Sequence, residues 1–229
     1  MSNKPDTSRD SRIRARFQPV PTNEIPVFVP VQLVLARTDT VAVWLTGVNV
    51  YSTCLTFSVE ASTTGIGLFL NMYGFGKPQP THTPPMLIGF EDAEGTRATN
   101  LPGRRTGLRA NGNSGSSRSS KIEFVLAPVP PAGPIQVHFS WPYFGIDEVE
   151  HTLDATDYAS ASGRVTTLWD EVDDPTAEVD IDDRTILDIE IPSGGWFATA
   201  FEMQKPPPPD PNAPRRINFA HVEPNRLNE

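Results

Sequence analysis

The sequence predicts an all-β protein: an antiparallel β-sandwich, immunoglobulin-like or related, with one short helix and disordered termini. Three observations carry that reading. Large apolar residues recur at every second position in several segments, most cleanly Ile135, Val137, Phe139 and Trp141, which alternate with Gln136, His138 and Ser140. A half-buried strand has that period and a helix does not. The chain contains 24 prolines and 16 glycines, which interrupt helices and central strands and supply turns. Its 229 residues, rich in Val, Ile, Leu and Phe, suffice for one sizeable core.

In chain order, residues 1–24 read as a disordered basic arm, in which Arg9, Arg12, Arg14 and Arg16 outnumber Asp6 and Asp10. The sandwich domain is assigned to residues 25–201. Residues 27–37 form its first strand, with Val31, Leu33 and Leu35 on one face, and Thr38 and Asp39 turn the chain. Val41, Val43 and Leu45 continue the alternation, and Val48 and Val50 keep its phase only if a bulge at Gly47 absorbs one residue. After a turn at 51–53, Leu55, Phe57 and Val59 complete a three-strand meander.

Residues 65–76 are apolar but broken by glycine and predict a flap. A short strand over 86–91 leads through Asp92, Ala93, Glu94 and Gly95, the composition of a tight hairpin turn, into 96–99. The stretch 101–120 reads as a mobile loop carrying Arg104, Arg105, Arg109 and Arg118. Ile122, Phe124 and Leu126 mark a strand, joined by a proline-rich connector to the strand at 135–141, and the two are expected to be antiparallel neighbours. Asp154 is placed to cap a helix, Leu153 and Tyr158 to staple it and Gly163 to end it. Residues 165–169 read as extended, 170–183 as an acidic loop, 185–191 as a last strand and the region of Trp196 and Phe197 as an aromatic turn. Residues 202–229, with four consecutive prolines, read as a disordered polyproline-like tail.

Composition narrows the function. A net charge of −9 disfavours a general phosphate-backbone binder, whose affinity comes from Lys and Arg. Cys54 is the only cysteine, so no intrachain disulfide or cysteine-rich zinc site is possible and a cytoplasmic location is expected. The chain shows neither a signal-peptide pattern nor a run of about twenty apolar residues.

The candidate chemistry is sparse. Gly112, Asn113, Ser114, Gly115 and Ser116 resemble the nucleophile loop of chymotrypsin-fold serine peptidases, a fold that also needs a histidine base and an aspartate. His82 is the only histidine upstream. The preferred reading is a loop of small residues, with a serine hydrolase using Ser114 as the rival. The acidic run at 170–183 lacks the Asp-x-Asp-x-Asp-Gly order of a calcium loop and reads as solvated. His138 and His151 could meet across adjacent strands, and Glu148 and Glu150 share a face of an extended segment. Surface roles are assigned to all four.

Pro130, Pro131, Ala132, Gly133 and Pro134, then the alternating strand, then Trp141, Pro142, Gly145 and Ile146, resemble a group of functionally uncharacterised proteins from high-GC Gram-positive bacteria. The resemblance spans residues 31–169 and implies a bacterial, cytoplasmic origin and no particular site. The function expected from the sequence is therefore a non-catalytic module that binds a protein partner and needs no cofactor. Its candidate contacts are Trp44, Tyr143, Phe144, Arg104, Arg105 and Arg109, and a carbohydrate-binding module using Trp44 or the Tyr143–Phe144 turn is the third possibility.

Overall fold

Period-two segments build two facing sheets, with a third layer that the alternation does not announce. The computed structural model describes residues 20–65, 72, 83–103, 106–170 and 191–204. The expectations for the basic arm before residue 20, for most of the flap, for Arg104 and Arg105, for the acidic loop beyond Asp170, for the strand at 185–190 and for the tail after 204 lie outside the described residues.

The first half of the chain supplies β1 (Glu24–Ile25), β2 (Val27–Arg37), β3 (Val41–Val50), β4 (Leu55–Thr63), β5 (Leu87–Glu91) and β6 (Arg97–Thr99). The second half supplies β7 (Leu108–Gly115), β8 (Ser119–Leu126), β9 (Pro134–Trp141), β10 (Ile146–Asp154), helix α1 (Thr156–Ser162), β11 (Thr166–Thr167) and helix α2 (Trp196–Gln204). One sheet has the order β2-β3-β4-β8-β7 and the facing one β10-β9-β5-β6, while β1 and β11 pair separately. Every pairing is antiparallel.

The inward faces interlock as the alternation implies. Val43, Leu45, Phe57, Val59, Ile122 and Phe124 from the larger sheet share one buried cluster with Ile88, Phe90, Val137, Phe139 and Trp141 from the smaller. Phe57 sits at its centre, edge-on to Phe90 at 5.2 Å and stacked with Phe124 at 5.8 Å. The bulge at Gly47 is present: the β3–β4 register shifts between Thr46 and Val48, and Gly47 has φ of +62°, a left-handed conformation that glycine adopts at low cost.

A second bulge ties the two sheets together along one side. Leu35 falls where the β2–β3 register shifts between Val34 and Ala36, and its carbonyl accepts a hydrogen bond of 2.8 Å from His151 Nε2. A carbonyl only accepts, so the ring nitrogen carries a proton.

Several expectations are corrected. Strands β8 and β9 are not neighbours; the connector at 127–134 carries the chain from one sheet to the other. Residues 108–115 are not loop but edge strand β7, paired with β8. The aromatic segment at Trp196 is the first turn of α2 and not an isolated turn, so the described residues hold two α-helices. The described residues form eleven strands, two of them only two residues long. Asp154 does not cap α1: the N-cap is Ala155, without a side-chain bond, and Asp154 closes a turn one residue earlier, its Oδ1 accepting from Thr156 N at 2.9 Å and from Thr156 Oγ1 at 2.6 Å. Gly163 follows the helix.

The outer face of β9, expected to meet solvent, is covered by α2. His138 and Ser140 are buried, and Leu87 and Leu101 cluster with Phe197 and Ala200 of the helix. Gly89 makes the close approach possible: a Cβ there would lie 2.4 Å from Trp196 Cζ3. Among the described residues no helix is long and apolar enough to cross a membrane.

Candidate binding pocket at the end of the sandwich

The β5–β6 hairpin and the proline-rich connector leave a cavity between the sheets at one end of the molecule. The hairpin turn is built as its composition suggests. Asp92 Oδ1 accepts from Glu94 N at 2.9 Å and from Thr96 N at 2.8 Å, while Gly95 N donates to Asp92 O at 2.9 Å. Gly95 has φ of +77°, the left-handed geometry such a turn requires. Opposite it, Pro128, Pro130 and Pro131 fix φ along the connector. Gly133 lets connector and turn close on one another, since a Cβ on it would stand 3.2 Å from Ala93 Cβ.

The resulting cavity measures about 300 Å³. Its floor and sides include Phe90, Ala98, Leu126, Val129 and Ile135, and Asp92, Glu94 and Thr96 line it from the turn. A carboxylate has about four acceptor positions. Asp92 therefore keeps acceptor capacity beyond the two bonds that hold its turn. The chemistry offered is an apolar slot with carboxylate on one lip, the general form of a small binding site.

The cover on the other face of the smaller sheet is polar and tightly bonded. The Trp196 indole stacks on His138, with ring centroids 4.2 Å apart and planes 8° from parallel. Its Nε1 donates to Glu91 Oε2 at 2.6 Å, and the same oxygen accepts from Arg97 Nε at 3.0 Å. Glu148 receives Trp196 N on Oε1 at 2.6 Å and Phe197 N on Oε2 at 3.2 Å, capping α2. Burial pushes the His138 pKa below its usual 6.5, against the opposing pull of Glu150, Glu148 and Glu91. Burial alone would raise Glu91, but the hydrogen bonds from Trp196 and Arg97 prevail and lower it. These groups fasten a helix to a sheet.

The candidates from the sequence are scattered. Trp44 lies half-buried on the outer face of β3, registered with Val34 and Glu60. Tyr143 and Phe144 are half-buried against the core, with Phe144 edge-on to the buried Trp141 at 4.8 Å. Arg109 sits on β7 opposite Val125. It favours the nearby Cys54 thiolate, but burial of Cys54 prevails and pushes that thiol up to about 11, far from a nucleophile's range. Ser114 is exposed on the same edge strand, registered with Lys121, and His82 lies outside the described residues.

His138 and His151 do not meet. His138 pairs with Glu150 and His151 with Val137, so the two rings point to opposite faces of the sheet. Nor are Glu148 and Glu150 equivalent surface acids: a register shift between Ile146 and Val149 sends Glu148 to the helix, while Glu150 stands 3.9 Å from His138 Nδ1. No group of three or more His, Cys, Asp or Glu side chains among the described residues could hold a metal ion. The pocket residues escaped the sequence reading because they come from four separated segments; the connector's prolines and the Asp92–Gly95 turn were their only local signals.

No protein-family model matches the chain, and no curated protein matches it. Among solved structures, the crystal structure of a conserved domain protein from Bacillus anthracis is similar with a TM-score of 0.34 and 9% identity, over 63% of this chain and 50% of that one.

Proposed function

We propose that the protein is a non-catalytic binding module whose end pocket grips a short segment of a partner protein, one large apolar side chain flanked by Lys or Arg. The observation that carries this reading is the pairing of an apolar cavity of about 300 Å³ with carboxylates on its lip. The walls are preorganised by prolines and a hydrogen-bonded turn, so little conformational entropy is lost when a segment enters. A net charge of −9 favours a basic protein segment over nucleic acid. A single buried cysteine fits a reducing compartment, and we assign the module to the cytoplasm.

The test is a titration of isotopically labelled full-length protein with two short peptides of alternating charged and apolar residues, one basic and one acidic, both ending in Phe. Amide shifts at Phe90, Glu94, Ala98 and Val129 with the basic peptide alone are the expected result. Shifts elsewhere, or equal shifts with both peptides, contradict the reading.

A further inference from the structure

We infer that the pocket has an occupant within the chain itself: the basic arm, docked in cis through residues 12–17, which an external segment must displace. This rests on the pocket reading above and names what competes there. The first support is where the described chain begins. Val20 packs in a small cluster with Cys54, Val125, Ala127 and Tyr51, and Ala127 and the adjoining Pro128 line the pocket. Val20 therefore stands on the outer face of the strand end whose inner face helps wall the cavity.

The second support is reach. An extended chain spans at most about 3.5 Å per residue, so Phe17 can travel roughly 10 Å from Val20 and Ile13 roughly 25 Å. The third is chemistry. Arg12, Arg14 and Arg16 alternate with Ile13, Ala15 and Phe17, which in an extended segment puts cations on one side and apolar groups on the other. That pattern complements an apolar floor at Phe90 and Val129 and a lip at Asp92 and Glu94. The arm is basic, with Lys4, Arg9, Arg12, Arg14 and Arg16 against Asp6 and Asp10, on a chain of net charge −9. A short tether also holds its segment at an effective concentration on the order of millimolar, so even a weak contact is largely filled. The arm then sets a threshold that a partner's segment must exceed.

The full chain is tested with a nitroxide at Ser11→Cys, leaving the buried Cys54 unlabelled. Strong broadening of the Phe90, Glu94 and Val129 amides is expected, and its loss when Arg14→Glu, Arg16→Glu and Phe17→Ala are combined. Mixing nitroxide-labelled chains with isotope-labelled, nitroxide-free chains should broaden nothing; broadening in that mixture assigns the arm to a second copy and overturns docking in cis. The same triple variant should bind the basic peptide at least tenfold more tightly than the unaltered chain. Equal binding by both overturns the arm's role while leaving the pocket standing. Binding by neither removes the pocket reading and this inference together.

Discussion

Trp196 and His138 lie face to face, 4.2 Å between ring centroids, on the side of the smaller sheet that the alternation marks as polar. The contact explains how a buried histidine and a helix with modest apolar surface are held on a sheet face carrying Glu91, Arg97 and Ser140. Replacing Trp196 with Ala removes the stack, the bond to Glu91 and the seat over Gly89. The expected destabilisation is about 3 kcal/mol, the lower end for a large aromatic truncation because the ring is half-buried. Gly89→Ala should also lift the helix, since its Cβ would collide with the indole. Denaturant titration gives the first result, and faster amide exchange over residues 197–204 gives the second.

The buried imidazole gives stability a defined pH dependence. The unfolded chain takes up a proton on His138 near pH 6.5, whereas the folded chain, with its pKa lowered, does so at lower pH. Stability is therefore full above about 6.5 and falls as the pH drops toward the folded value. Glu91, lowered from 4.5, adds a further loss of the same sign as the pH falls below 4.5. His138→Gln should flatten the upper phase and spare the lower one, as read from urea midpoints between pH 8 and 4.

Glu148 makes its own contribution at the helix end. Its carboxylate accepts from two backbone amides, Trp196 and Phe197, where the helix dipole also favours a negative charge. Glu148→Ala should cost about 1 kcal/mol, the usual worth of a cap, with exchange accelerated mainly in α2. Gly195→Ala should act at the same place, because its Cβ would stand 2.5 Å from Glu148 Oε2. The double variant should cost less than the sum of the singles, as measured by a thermodynamic cycle.

His151 joins the sheets by donating to the bulged Leu35 carbonyl. His151→Ala should cost about 1 kcal/mol, the net worth of such a bond. The β2 amides should exchange faster than those of β4, which lies within the sheet between β3 and β8.

How much of this was legible depends on what each element buries. Ile135, Val137, Phe139 and Trp141 bury one face against the facing sheet, so their period showed in the sequence, as did the glycine that absorbs the β3 bulge. Strand β7 left no such trace: after Leu108 it is largely exposed, and its order comes from backbone pairing with β8 rather than from side-chain burial. The connector was ambiguous for another reason. Eight residues can join neighbours in one sheet or cross between two, and the alternation on either side is the same in both cases.

Helix α2 was hidden by its length. Phe197, Ala200 and Phe201 have helical spacing, but nine residues with Trp196 at the front also read as an aromatic turn. Its docking surface is polar, so His138 and Ser140 gave the signature of a solvent face. Of the pocket, only the connector's prolines and the Asp92–Gly95 turn left a local signal, because Phe90, Leu126, Val129 and Ile135 meet only through the pairing of distant strands and the path of the connector.

The most direct measurement is the affinity of the basic, Phe-ending peptide for the full-length protein and for two variants, Glu94→Lys at the exposed lip and Val129→Asp in the wall. Both substitutions should weaken binding at least tenfold, with the Glu94→Lys protein retaining the stability of the unaltered chain and its effect shrinking at high salt. Equal affinity for the three proteins would contradict the pocket reading.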